Sequence, residues 1–340
     1  MEILLVLTRW YDKKKKHGDV KRRAEAYEMI DGNLTHYPVA YCWRYKGYLT
    51  RNMINTHDCV NRGCKRFDKD MKRIGVFCSA NENIRRLCFM KSGVLYTDFD
   101  AIFNPIFGED NELRKRILRL LGDGSLAGTE IAARLGIVRN GHLSELLRAL
   151  CEGGFISDDS GLNPETGKPC RLARYRLRDN YTRFYLKYVE PHKREIESGT
   201  YRYVSLENLP GWNSILGLQF ENLVVNNAMD LIPFLHLGQA IVESAAPYRN
   251  SRKGRNGKSE GCQIDLLVQT ARTAYVVEIK RRREISSEIE AEVERKIRQL
   301  PLRPGKSVRP VLVYDGELAP SVEGTGFFDA IVPFRRLLNL

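Results

Sequence analysis

The stretch that decides the fold is IDLLVQTARTAYVVEIK, residues 264–280. Two runs of strand-forming residues flank the short segment TART, so the pattern predicts a β-hairpin. Charged side chains interrupt these otherwise apolar strands at Asp265, Glu278 and Lys280. Because strands that are apolar around their charges make a poor solvent face, we expect these three residues to form a site.

Glu278 and Lys280 lie two residues apart, so their side chains are expected on the same face of the second strand. A turn centred between Ala271 and Arg272 places Asp265 directly opposite Glu278, with the two Cβ atoms roughly 4.5 to 5.5 Å apart. Two carboxylates at that separation repel each other unless a cation lies between them. Mg²⁺, or Mn²⁺ in its place, suits such oxygen ligands because it keeps several waters and takes one or two protein carboxylates.

The chemistry expected from this pattern is metal-assisted hydrolysis of a phosphodiester, with Asp265 and Glu278 as metal ligands. Lys280 would orient or help to deprotonate a metal-bound water, or offset negative charge that develops on a phosphate. Two other interpretations stay open: a surface hairpin that carries ordinary charges, and a catalytic fold that has lost its activity and kept its residues.

The residues after the hairpin predict an α/β domain. ISSEIEAEVERKIRQL (285–300) is typical of a long helix, and RPVLVYDG (309–316) of a further strand. A strand, helix and strand in succession require a right-handed crossover and predict parallel pairing. Together with the hairpin, this predicts a mixed sheet.

A basic loop precedes the hairpin. YRNSRKGRNGKSEG (248–261) is rich in Gly, Asn and Ser, which favours a flexible loop beside the carboxylates. It carries five cations, which we expect to bind nucleic acid by gripping phosphates: Arg249, Arg252, Lys253, Arg255 and Lys258. A merely solvated loop is the alternative.

Residues 111–154 predict three helices, and the segments FISDD (155–159) and RLARYRLRD (171–179) predict two wing strands, a pattern typical of a winged helix-turn-helix domain. Thr129 is the N-cap candidate of the second helix. The third helix would enter a DNA major groove or pack against protein. Its predicted exposed face is not a basic recognition surface: His142, Ser144, Glu145, Arg148 and Glu152.

Tyr181, Phe184, Tyr185 and Tyr188 follow at helical spacing. They would stack on nucleic-acid bases or, as we favour, pack between domains.

The composition points to a polyanionic partner. Across 340 residues, 55 Lys and Arg outnumber 42 Asp and Glu, which leaves a net charge of +13 and favours nucleic acid, DNA in particular.

No run of 18 apolar residues occurs, which argues against a membrane span. The first residues lack the order of a secretory signal, and eight scattered cysteines do not form a disulfide framework, so we expect a cytoplasmic protein with reduced thiols.

Asp265, Glu278, Ile279 and Lys280, in a hairpin followed by a helix and a strand, resemble the PD-(D/E)XK nuclease superfamily. The resemblance implies an α/β nuclease-like domain with a mixed sheet. It also implies a further acidic residue on the first helix of the domain, and Glu221 in LQFENLV (218–224) matches that position.

A wider resemblance covers residues 79–340, which look like the C-terminal portion of archaeal-type AAA+ ATPases. The phosphate-binding P-loop of such proteins needs Gly-x4-Gly-Lys-Ser/Thr. The two GKS triplets of this chain have Arg252 and Leu300 where the first glycine should stand. We therefore expect no ATP hydrolysis by this chain alone, and a separate ATPase module is a candidate partner.

These patterns divide the chain into three parts. Residues 1–78 form an unassigned basic segment, either poorly ordered or a truncation remnant; residues 79–200 form a helical linker and the winged-helix domain; residues 201–340 form the nuclease-like domain. The leading function is Mg²⁺-dependent cleavage of DNA. The alternatives are a non-catalytic DNA-binding or regulatory protein with an inactive nuclease fold and, more weakly, an ATPase.

Overall fold

The computed structural model describes residues 40–42, 47–49, 80–107, 111–170, 173–250 and 261–337. Most of the segment 1–78 therefore lies outside the described residues. The chain divides into two compact units, of which the first comprises residues 1–111 and 179–212 and the second comprises residues 112–178 and 213–340.

The second unit contains both helices and strands, and the described part of the first is mainly helical. In chain order the α-helices are α1 Ala80–Cys88, α2 Val94–Phe107, α3 Glu112–Leu121, α4 Gly128–Leu135, α5 Gly141–Glu152, α6 Asn180–Phe184, α7 Lys193–Ser198, α8 Trp212–Asn226, α9 Ala228–Leu231, α10 Glu288–Gln299 and α11 Pro320–Gly324. The strands are β1 Ala40–Cys42, β2 Gly47–Leu49, β3 Leu126–Ala127, β4 Ile156–Asp158, β5 Arg174–Leu177, β6 Ser244–Arg249, β7 Gln263–Gln269, β8 Thr273–Ile285, β9 Ser307–Leu318 and β10 Ala330–Pro333. None of these helices is long and apolar enough to cross a membrane.

Aromatic side chains form the core of the first unit. Tyr181, Phe184, Tyr185 and Tyr188, on α6 and the π-helical turn after it, are all buried. Tyr185 stacks on Phe99 of α2, with ring centroids 4.3 Å apart. These four rings therefore pack inside the first unit, and their burial leaves no face open for a nucleic-acid base.

The part of the second unit formed by residues 112–178 contains α3, α4 and α5 with a three-stranded antiparallel sheet in the order β3-β5-β4. The leucines predicted for one face of α5 are buried: Leu143, Leu146, Leu147 and Leu150. Asn140 caps α5 by accepting a hydrogen bond of 3.0 Å from the N–H of Leu143. The N-cap prediction for Thr129 is wrong: α4 begins at Gly128, and Ala127, with extended backbone, is its N-cap residue and donates a 2.7 Å hydrogen bond from its N–H to the Glu130 side chain.

A mixed five-stranded sheet, in the order β10-β9-β8-β7-β6, is the other part of the second unit, and it confirms the predicted α/β architecture. β6, β7 and β8 pair antiparallel, whereas β8, β9 and β10 pair parallel. The crossover helix α10 joins β8 to β9, as the sequence predicts. α10 covers the sheet through Ile289 and Val293, which are buried in one apolar cluster with Val276 and Leu312.

The segment between β4 and β5 lies against the edge of this sheet. The backbone carbonyl of Leu162 accepts a hydrogen bond of 2.7 Å from the Gln269 side chain, and the N–H of Leu162 donates to Oγ of Ser244 over 3.2 Å. The carbonyl of Thr166 accepts a hydrogen bond of 2.6 Å from Arg303. These bonds join residues 112–178 to the sheet within one unit.

Candidate functional site

The three charged residues of the hairpin lie together near the middle of the mixed sheet. β7 and β8 pair in register from Gln269 opposite Ala274 to Leu266 opposite Val277, which confirms the register predicted from the turn. The next residues along the two strands are Asp265 and Glu278. Asp265 is 8% exposed and Glu278 is 0% exposed, so the surface-hairpin interpretation is wrong.

At Asp265, the backbone pairing of β7 with each of its two neighbouring strands, β6 and β8, is interrupted. On one side, the β6–β7 pairing shifts by one residue between Ala246 and Tyr248, so Asp265 and Leu266 oppose the single residue Pro247. Such bulges reorient side chains and are frequent beside active sites, and proline is tolerated there because β6 is an edge strand. On the other side, the N–H of Ile279 donates a hydrogen bond of 2.9 Å to Oδ2 of Asp265.

Glu278 is held between two lysines. Nζ of Lys296 donates a hydrogen bond of 2.6 Å to Oε2 of Glu278. Nζ of Lys280 lies 2.7 Å from the other oxygen, Oε1, but without the angle of a hydrogen bond. Lys280 also pairs with Glu292 at 3.0 Å. The site is therefore a network of alternating charges rather than a bare pair of carboxylates.

The network has two members that the sequence interpretation missed, Glu292 and Lys296, both on α10. From the sequence, α10 is expected only as the crossover between β8 and β9. A signal was present: Ile289 and Val293 form the buried stripe of this helix, Leu300 is buried just beyond its end, and position 296 continues the same stripe. A lysine where an apolar residue is expected indicates a partner on the sheet.

The carboxyl of Asp265 is the group whose charge is least compensated. Burial raises its pKa to about 8, and the negative charges of Glu278 and Glu221 act in the same direction. Lys296 and the N–H of Ile279 oppose the shift without cancelling it. Glu221, on α8, is thus close enough to influence the charge of Asp265.

Both lysines stay charged. Burial by itself lowers the pKa of Lys280, but Glu278 and Glu292 outweigh this effect and raise it above its ordinary value. The pKa of Lys296 follows the same pattern: burial lowers it, and the charges of Asp265 and Glu278 raise it further than burial lowers it. Each lysine is therefore an ammonium at neutral pH.

Two features of the site fit a divalent cation. The Asp265 carboxyl is buried beside two like charges, and Oε1 of Glu278 is buried without a hydrogen bond. In the part of the chain that the structure describes, no three His, Cys, Asp or Glu side chains form a ready metal cage. A cation here would therefore be held by Asp265 and Glu278 and by water, a coordination that Mg²⁺ accepts.

The basic loop lies beside the site in sequence, but only its first cation is described. Arg249 is exposed at the end of β6, opposite Gln263, which is two residues before Asp265. Arg252, Lys253, Arg255 and Lys258 lie outside the described residues.

No protein-family model matches the chain. An uncharacterized protein of Methanocaldococcus jannaschii is 28% identical over 134 residues, which cover 38% of this chain and 29% of that relative. The chain thus matches less than a third of the relative's length. The crystal structure of protein VC1899 from Vibrio cholerae aligns with a TM-score of 0.29 and 12% identity, over 74% of this chain and 55% of that chain, too weak a similarity to support any inference.

Proposed function

We propose that the protein is a metal-dependent nuclease that hydrolyses phosphodiester bonds of DNA. The observation that carries the proposal is the position of Asp265 and Glu278, two buried carboxylates at the end of one strand pair, with the Lys280 ammonium beside them. Buried like charges cost stability, and groups with strongly shifted pKa values cluster at functional sites. The arrangement is the one expected of a PD-(D/E)XK nuclease-like domain.

Asp265 and Glu278 would hold Mg²⁺ or Mn²⁺, and the bound cation would supply an activated water and neutralise charge on the phosphate. The N–H of Ile279 orients the Asp265 carboxylate for this role by fixing Oδ2. Glu221 adds negative charge to the site from α8. Its contribution is electrostatic attraction for the cation.

Lys280 acts as a fixed positive charge in this proposal. Because its pKa lies above the ordinary value, it cannot accept a proton from water at neutral pH. Its ammonium can instead donate a hydrogen bond to a phosphate oxygen as negative charge develops there. Removing one such preorganised donor commonly lowers kcat by about 10² to 10³-fold.

Residues 112–178 would contribute to DNA binding as a winged helix-turn-helix. Their order of three helices and three antiparallel strands supports this interpretation. The exposed side of α5 carries Arg148 beside Glu152, with Nε and Oε1 3.9 Å apart, so it is a mixed rather than a basic surface. We therefore assign most of the phosphate affinity to the basic loop at 249–258.

The experiment that tests the proposal is cleavage of end-labelled single- and double-stranded DNA with Mg²⁺, with Mn²⁺ and with EDTA. Wild type is compared with Asp265→Asn and Lys280→Met, and Glu294→Gln on the exposed side of α10 is the matched control. We expect metal-dependent cleavage by wild type and the control, and a loss of at least 100-fold in both site variants. Cleavage that persists in Asp265→Asn would exclude this site.

A second function, DNA binding without catalysis, is favoured by one observation: both oxygens of Glu278 already have a lysine within 2.7 Å. A closed network of this kind can serve structure alone. No cleavage with either metal, together with DNA binding that is unchanged in Asp265→Asn, would establish the non-catalytic function instead.

A further inference from the structure

Lys296 occupies an unusual place on α10. The helix packs on the sheet through Ile289 and Val293, and Leu300 is buried beyond its last turn. Lys296 falls on this apolar stripe, and its side chain is 14% exposed. A lysine in such a position requires anionic partners, because desolvation of an ammonium without a partner is costly.

The ammonium of Lys296 finds those partners among the proposed metal ligands. Nζ lies 2.6 Å from Oε2 of Glu278 and 3.5 Å from Oε1 of Glu292. Its strongest favourable interaction with a charge is with Asp265. A single cationic group on α10 is thus attracted to both carboxylates that a divalent cation would use.

We propose that Lys296 is a built-in counter-ion that a divalent metal displaces when it binds to Asp265 and Glu278. This inference rests on the proposed metal site and adds that Lys296 regulates the affinity of that site for the metal. In the metal-free protein the ammonium neutralises the charge of Glu278 beside the Asp265 carboxyl. A metal that binds Glu278 through Oε2 therefore competes with Lys296 for that oxygen.

Glu292 provides the place to which Lys296 withdraws. It lies one helical turn before Lys296 on the same face of α10, the spacing at which Glu and Lys pair well. It already has the Lys296 ammonium at 3.5 Å, and its carboxylate is the partner of Lys280 as well. Both partners of the Lys296 ammonium are thus within 3.5 Å of its present position.

The inference predicts the effect of removing the competing charge. Lys296→Gln keeps an N–H donor for Oε2 of Glu278 and removes the positive charge. We expect it to bind Mn²⁺ at least tenfold more tightly than wild type, a difference of about 1.4 kcal/mol. Lys296→Arg keeps the positive charge, and its planar guanidinium can donate two hydrogen bonds to one carboxylate. Because this pair should be harder to displace, we expect the variant to bind Mn²⁺ several-fold more weakly than wild type.

The test is isothermal titration of the metal-free full-length protein with MnCl₂. It compares wild type, Lys296→Gln, Lys296→Arg, Asp265→Asn and the double variant Asp265→Asn/Lys296→Gln. A second readout is the rise in Tm that Mn²⁺ produces, which should be larger in Lys296→Gln than in wild type. Tighter binding in Lys296→Gln that disappears in the double variant supports the inference.

The other outcomes separate the two proposals. Equal Mn²⁺ affinity in wild type and Lys296→Gln, with affinity lost in Asp265→Asn, overturns the counter-ion role and leaves the metal site standing. No Mn²⁺ binding by any variant overturns both. If Lys296→Gln does not fold, Lys296→Arg decides: affinity equal to or above that of wild type contradicts displacement, since an arginine should be the harder group to displace.

Discussion

The backbone N–H of Ile279 donates its hydrogen bond to the side chain of Asp265, over 2.9 Å, across the strand pair β7–β8. In a continuing antiparallel ladder the acceptor would be a backbone carbonyl of the neighbouring strand. The Asp265 carboxylate thus replaces the backbone acceptor just beyond the last paired residues, Leu266 and Val277. This bond fixes Asp265 beside Glu278, and the electrostatic consequences can be measured.

Stability should fall as pH rises because of Asp265. Its carboxyl has a pKa of about 8 in the folded protein, against an ordinary value of 3.8. Between these values the folded state holds a proton that the unfolded state has lost, so the free energy of unfolding decreases with pH, by at most about 1.4 kcal/mol per unit for this group. The contribution is complete below pH 3.8 and is lost as pH passes through about 8.

Asp265→Asn should remove this dependence, because asparagine is neutral and can still accept the N–H of Ile279. Urea unfolding of the metal-free protein at pH 5, 6.5 and 8 measures it. We expect the variant to gain stability relative to wild type as pH rises. Parallel pH profiles for the two proteins would show that Asp265 does not hold a proton in the folded state.

Glu278→Gln should destabilise the protein strongly. The substitution leaves the ammonium groups of Lys280 and Lys296, whose side chains are 18% and 14% exposed, with Glu292 as the remaining carboxylate that both contact. Breaking a buried ion pair by removing one partner commonly costs roughly 3 to 5 kcal/mol, and we expect a loss of about 3 kcal/mol.

The matched control for this change is Glu294→Gln on the same helix, where Glu294 pairs with Arg298 at an exposed position. An exposed pair contributes about 1 kcal/mol or less. Chemical denaturation at pH 7 compares the two variants. Equal losses of stability would refute the view that the charge network holds α10 to the sheet.

Gly316 should be intolerant of a side chain. Its φ of +138° lies in the region that favours glycine, and an added Cβ would come 1.7 Å from the backbone carbonyl oxygen of Arg282. β8 and β9 shift register at this point, between Arg281 and Glu284. We expect Gly316→Ala to lower the free energy of unfolding by roughly 1 to 3 kcal/mol, the usual cost of such strain.

Gly324 in α11 provides the control, since its added Cβ would meet nothing within 4 Å. Gly324→Ala should be neutral or slightly stabilising. Thermal unfolding compares the two alanine variants. A Gly316→Ala protein as stable as wild type would mean that the end of β8 adjusts freely.

DNA binding should depend on the basic loop and on salt. We expect Arg252→Ala/Arg255→Ala to weaken binding similarly for all DNA sequences. The slope of log K against log salt concentration should become shallower by about 2, one for each phosphate that the variant no longer neutralises. Fluorescence anisotropy at 50 to 200 mM NaCl measures this. Arg298→Ala, which removes an exposed charge on α10, is the control, and an equal effect there would assign binding to overall charge.

Local patterns in the sequence determined much of the fold. The turn at 270–273 determines the register of β7 and β8, because a short hairpin loop leaves one way to pair the strands. The strand, helix and strand that follow determine the parallel pairing of β8 with β9. The same alternation places Glu278 and Lys280 on one face, so three of the proposed site residues could be found from the sequence.

Only the tertiary structure decided what surrounds them. Lys296 and Glu292 reach the site because α10 docks on the sheet with one particular rotation, which depends on packing against Val276 and Leu312. The bulge opposite Pro247 depends in the same way on how the edge strand β6 meets β7. Sequence spacing determines contacts between neighbours in one hairpin. Contacts between elements that are distant in the chain are determined by the core they share, and such contacts bring Lys296 to Glu278 and Asp265.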